Sequence, residues 1–202
     1  MLSCASTEAQ RMQDHTWYRP GAEPKEGEAD TRPAFRLRMA SLMERAAFDA
    51  ELEGRHQAAP VPAFVMLDTA IAGVHALAGE DADELEQLLR SVNSEAGPAE
   101  ISEAEQTQIA EIQTILAKSW PPYRQLVEQN ARYRNLMPIL AFQRFVDGWE
   151  NLDGTDGKTV EYERDKAGNI PDTVLRRIHP ALIYAAGNRA HNFQYAVGEE
   201  KN

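Results

Sequence analysis

The side chains best suited to metal binding, proton transfer or covalent catalysis are few in this chain: five histidines and one cysteine. The histidines are His15, His56, His75, His179 and His191. A helical zinc site needs two imidazoles four residues apart on one face, with a glutamate between them, and no pair here has that spacing. His75 falls on an apolar helical stripe, where a hydrogen-bonded core histidine is the expected role. His179 precedes Pro180 and is expected to shape a bend. Cys4, the sole thiol, permits no intramolecular disulfide and no zinc site built on cysteine clusters. Its polar terminal surroundings are a poor setting for an activated nucleophile. The glycine patterns that cradle phosphates are missing, as is the Gly-x-Ser-x-Gly turn of hydrolases. The expectation is a non-enzymatic chain with no metal and no cofactor. An enzyme would require a deep pocket gathering His75, His179 or His191 with carboxylates.

Carboxylates are the abundant reactive group, so calcium is the cation to test. Residues 151–156 offer oxygens at Asn151, Asp153 and Thr155, the alternation a hard cation needs. The sixth position is Asp156 where the loop requires glycine, and the twelfth is Tyr162 where a bidentate glutamate belongs, so a turn is expected instead. There are 32 Asp and Glu against 21 Lys and Arg, a formal net charge of −11. That field opposes binding to nucleic acid or anionic membrane. The basic side chains Arg124, Arg132, Arg134 and Arg144 gather on one helical stretch with Tyr123 and Tyr133. Given the overall charge, pairing with the chain's own acidic helices is the better account of them than nucleic acid. The N-terminal MLSCASTEAQRMQDH holds no signal-peptide core, and no stretch reaches the roughly 18 apolar residues that span a bilayer. A soluble protein of a reducing cytoplasm is expected.

The elements that would position these groups are mostly helices. Residues 1–33 read as a flexible N-terminal arm or linker, since 20–30 combine Pro, Gly and acid without periodicity. Just before that stretch Thr16, Trp17 and Tyr18 form an aromatic patch, and residues 34–39 alternate apolar and basic as a short strand would. An arm strand pairing with that strand is one reading. Ser41 and Glu44 form a capping box for a first helix, and Ser102 and Glu105 repeat it. Between them Phe64, Leu67, Ile71, Val74 and His75 recur at helical spacing, and a third helix spans 83–92. Pro121 and Pro122 suit the first turn of a long helix, which Pro138 should kink. The Gly- and Asp-rich stretch 147–157 reads as turn, with a short strand or hairpin near 157–164. Asp172 is placed to cap a last helix made irregular by Pro180 and Gly187. The fold class is therefore mainly α, an irregular helical bundle with little strand. A helical domain over 34–197 and a tail at 198–202 complete the organisation.

Two stretches carry a family resemblance. Residues 140–163 (LAFQRFVDGWENLDGTDGKTVEYE) are similar to tail assembly chaperones of long-tailed bacteriophages. In those proteins an apolar segment precedes Gly-Trp, an acidic Asp-Gly turn and a short strand before a helix. Here the elements are Phe145-Val146, Gly148-Trp149, Asp156-Gly157 and residues 160–162. Residues 35–48 (FRLRMASLMERAAF) resemble the family's opening strand and helix, whereas the middle helices at 60–118 lie outside the resemblance. What it implies is a non-enzymatic protein of the host cytoplasm that binds the tape-measure protein until tail-tube subunits polymerise around it. A groove with an acidic rim would hold a long apolar helix reversibly. Phe145, Trp149 and Tyr162 would anchor that contact, against the alternative that they pack a core. The competing reading is a structural virion protein of the tail or neck, with Trp17 and Tyr18 on a mobile arm reaching a neighbouring subunit.

Overall fold

The computed structural model describes residues 15–25, 27, 29–92 and 102–195. Cys4, the start of the 1–33 arm, the break at 93–98 and the tail at 198–202 lie outside the described residues. The fold is mainly α, with one small antiparallel sheet. The span read as one helical domain contains two compact units: Met1–Leu52 with Asn135–Asn202, and Glu53–Arg134. The described strands are β1 (His15–Tyr18), β2 (Ala34–Arg38) and β3 (Val146–Glu150), in that spatial order. The described helices are α1 (Leu42–Ala50), α2 (Ala63–Leu77), α3 (Ala82–Val92), α4 (Glu103–Ser119), α5 (Pro121–Phe145), α6 (Asp172–Leu175) and α7 (Pro180–Tyr195).

In the first unit, β2 forms where the alternation places it. Phe35 and Leu37 are fully buried and Arg36 between them is exposed, the period-two pattern of a half-buried strand. Within the described part of the arm, β1 pairs with β2 through Trp17↔Arg36 and Tyr18↔Phe35. Arg32 ties down the segment between them. It donates from Nε and Nη2 to both Asp30 carboxylate oxygens and from Nη1 to the carbonyls of Gly21 and Ala22. On the other side of β2, β3 occupies residues read as turn. Phe35 faces Trp149, Arg36 faces Gly148, and Leu37 faces Val146, so Asp147 is the extra residue of a bulge. The strand expected near 157–164 is reduced to one bridge, Asp153↔Thr159, around a turn whose Gly157 has φ +71°. Residues 160 and 162 reach β3 by side chains instead of a backbone ladder. The Trp149 indole Nε1 donates to the Val160 carbonyl (2.6 Å) and the Tyr162 hydroxyl to that of Val146 (3.3 Å).

Helices cover the sheet's apolar face. α1 opens on the Ser41–Glu44 capping box and runs into a π turn, Glu51–Arg55. Phe35, Phe48, Phe142 and Phe145 are all under 2% exposed. Each such side chain contributes about 1.5–3 kcal/mol by burial. They interlock as pairs, Phe35–Phe142 edge-on at 5.6 Å and Phe48–Phe145 at 5.0 Å. α5 is unbroken through Pro138, and Tyr184 of α7 donates its hydroxyl to the Asn135 carbonyl (3.2 Å), a turn below the residue that withholds its amide. Asp172 opens only the one-turn α6, whose cap is Pro171. The last long helix starts afresh at Pro180, and His179 Nδ1 accepts from the Ala181 amide (3.2 Å). Buried Gln194 of α7 closes the unit: its Oε1 accepts from the Ala40 amide, and its Nε2 donates to the Arg38 and Ala190 carbonyls.

The second unit consists of α2, α3, α4 and residues 121–134 of α5. Its core joins Ala70, Ile71 and Val74 of α2 to Leu89, Ile112, Leu116 and Tyr123. The stripe expected on α2 is buried at Ile71 and Val74, with Leu67 packed against the core, and departs from expectation at its ends. Phe64 is 66% exposed and His75 lies at the solvent edge, because the buried face runs through Ala70, Ile71, Gly73 and Val74. The small residues let the helix approach closely: an added Cβ at Gly73 would meet Leu116 and the Trp120 ring at 2.7 Å. The second capping box, Ser102–Glu105, opens α4 as read from the sequence.

Candidate functional site

Two of the three residues that the resemblance singles out, Trp149 and Tyr162, meet in the first unit. Strand β3 presents Trp149, and the chain reversal at 153–159 brings Tyr162 edge-on to it at 4.9 Å. Phe142 stacks behind Trp149 at 6.2 Å. The row is half-buried at its Tyr162 and Trp149 end and fully buried at Phe142. Its polar atoms are committed: the indole N–H bonds Val160, and the Tyr162 hydroxyl bonds Val146 while accepting from Arg164 Nε. Phe145 is 1% exposed, packed at a tilt against Phe48 and covered by Arg38 at 5.8 Å, so it is a core residue and not a surface anchor.

Beside Tyr162 opens a cleft of about 730 Å³, lined among others by Arg38, Arg144, Arg164, Glu44, Asp147 and Gly168. Each guanidinium arrives from a different element: the end of β2, the end of α5 and the loop after Tyr162. Arg38 donates from Nε to the Arg144 carbonyl (3.1 Å) and from Nη2 to Glu44 (2.9 Å). Arg144 pairs with Glu51 and lies over Phe48. Arg164 lies over the Tyr162 ring and donates to the carbonyls of Gly168 and Val146. Asp147, turned out by the bulge, accepts from Arg36 at 2.9 Å and faces His15 Nε2 at 2.8 Å. The Arg38 guanidinium, helped by the Ser41 amide, holds the Glu44 carboxyl at about 2, far below its ordinary 4.5. Among the described residues that line the cleft, charged groups and hydrogen-bonding backbone predominate.

The other sequence candidates lie elsewhere. Trp17 is 45% exposed on β1 and Tyr18 turns toward the sheet's buried side, so both belong to the chain's own sheet. His75 Nε2 and Arg90 share Glu86 (2.6 and 2.7 Å), and this holds the Glu86 carboxyl below its usual range. His191 packs on Phe48 and Tyr195, and burial lowers its pKa. Of the clustered arginines, Arg132 reaches Glu128 and the Gln57 carbonyl, and Arg144 reaches Glu51. Among the described residues no group of three or more His, Cys, Asp or Glu could hold a metal ion. The acid loop is used internally, with Asp156 accepting from the Lys158 amide and Asp153 from the Thr159 hydroxyl. No described helix is long and apolar enough to cross a membrane.

Sequence reasoning missed Arg38 and Arg164 as site residues and met Arg144 only as part of a basic helix. Nothing in their spacing links positions 38, 144 and 164; the sheet register and the return of the chain at 153–159 do. Compared with protein-family models, with curated proteins and with solved structures, the chain matches none.

Proposed function

We propose that this protein is a tail assembly chaperone of a long-tailed bacteriophage, holding the tape-measure protein without chemistry until the tail tube forms around it. One observation carries the reading. The two stretches that resemble this family, 35–48 and 140–163, lie far apart in sequence yet pack into a single unit. Phe35 pairs with Trp149 across β2 and β3, and Phe48 packs against Phe145. The middle helices, which the resemblance does not cover, form the other unit. A shared small fold with a helical insertion is the arrangement such a resemblance would produce.

The insertion adds support of its own. Residues 53–134 carry thirteen Asp and Glu against six Lys and Arg, most of the chain's acid excess. They also form a groove of about 300 Å³ of mixed lining, with Met66, Leu67 and Leu89 on one part and Gln113, Asn130 and Arg134 on another. Phe64 and Ile115 stand exposed on α2 and α4. Exposed aromatic and aliphatic side chains suit contact with a partner helix. With Phe145 buried, the exposed Phe64 and Ile115 are contact candidates that the sequence reading did not name, beside Trp17, which it did.

The test is co-expression with the tape-measure protein, affinity capture, and assay of purified virions for this chain. Capture of soluble tape measure together with absence from virions is expected. Failure to capture it, with stoichiometric presence in particles, would overturn the reading in favour of a tail or neck component.

A further inference from the structure

We propose that the three-arginine cleft of the first unit is a binding site for an oxyanion group, a carboxylate or a phosphate. This inference rests on the cleft alone and stands whether or not the chain is an assembly chaperone.

The charges in the cleft do not balance locally. Glu44 serves Arg38, Glu51 serves Arg144, and Asp147 is already shared by Arg36 and His15. Arg164 has no carboxylate partner among the described residues. Its Nε and both terminal nitrogens are spent on the Tyr162 hydroxyl and on backbone carbonyls. A part-buried guanidinium held only by neutral acceptors keeps its full charge and has lost part of its water, which an incoming anion would offset. Donors for that anion remain beside it. Nη1 of Arg38 and Nη1 of Arg144 donate to no described residue, and both side chains line the same cleft. Guanidinium groups bind carboxylate and phosphate through short, charge-assisted bonds, and they surrender hydration readily.

The chain's net charge of −11 does not defeat such a site. Ionic screening confines fields from exposed carboxylates to about 8–10 Å in ordinary buffer, so the local surplus of guanidinium decides what enters. The cleft, open to water and about 730 Å³ in volume, admits a free anion or an acidic side chain of a peptide.

Amide NMR on the full chain tests the proposal and separates the two sources. Sodium phosphate, a hexaglutamate peptide and sodium chloride at matched ionic strength are titrated in parallel, following Tyr162, Gly168 and Asn169. Saturable shifts with phosphate support a free-anion site, and saturable shifts with the peptide alone support recognition of an acidic segment. In either case Arg38→Gln should weaken binding at least about tenfold, the effect of losing one charge-assisted bond. Arg144→Gln is the second variant should the first disturb the fold, which the spread of amide signals reports. Shifts indistinguishable from those of sodium chloride would overturn the proposal. So would saturable binding that neither arginine variant weakens.

Discussion

Gly187 shows how much one missing methyl group decides in this protein. It lies on α7 against the backbone of Pro138 in α5, where an added Cβ would meet the proline carbonyl carbon at 2.7 Å and overlap its oxygen. Backbone cannot rotate away as a side chain tip does, so the helices would have to separate. Gly187→Ala is therefore expected to destabilise the protein despite alanine's better helix propensity, by about 1–3 kcal/mol, as overpacking does. Urea unfolding followed by circular dichroism measures it; a variant as stable as the parent would show that this contact is loose. Read from sequence, Gly187 is only an irregularity in a helix. Its role depends on Pro138, a residue 49 positions earlier whose carbonyl is presented there by packing. The cleft arginines were illegible for the same reason, whereas the Ser41–Glu44 and Ser102–Glu105 boxes were legible because each bond spans three residues.

At the scale of elements, α1 is fastened to the sheet through Glu44, and that fastening has a pH dependence with a definite sign. Its carboxylate accepts from Arg38 and from the Ser41 amide, which lowers its folded pKa to about 2 from an ordinary 4.5. A depressed acid pKa stabilises the fold above the unfolded value and loses that contribution as pH falls from about 4.5 toward 2. Because the Glu44 side chain is 46% exposed, screening limits the gain to about 1 kcal/mol or less. The wild type should thus exceed Glu44→Gln in stability at pH 6 and converge with it near pH 2; a gap that persists at pH 2 would assign the difference to packing. The element that sequence missed outright is β3. Asp147 and Gly148 have turn chemistry, and their strand character comes from pairing with β2, more than a hundred residues away, through a bulge that spends Asp147 on Arg36 and His15. At α2 the expected stripe holds at Ile71 and Val74 but not at Phe64, because the close approach that Gly73 permits lies further along the helix.

At the scale of the whole molecule, the chain leaves one compact unit after Leu52 and re-enters it at Asn135. It leaves through the π turn Glu51–Arg55 and returns along α5, a single helix that belongs to both units. The sequence of that helix bears on how cooperatively the chain unfolds. The helix is continuous in sequence, but Pro138 lies just inside the first unit and lacks the amide that would bond the preceding turn. A weakened turn at the junction favours separate cooperative units. Leu116→Ala tests this, since Leu116 is 2% exposed in the core of the second unit. The truncation should cost about 2–5 kcal/mol. Native-state hydrogen exchange should then accelerate for amides between Glu53 and Arg134 and stay unchanged at Phe142, Phe145 and the β2–β3 ladder. Acceleration of equal size in both sets would mean that α5 transmits the loss across the proline and that the two units are one cooperative structure.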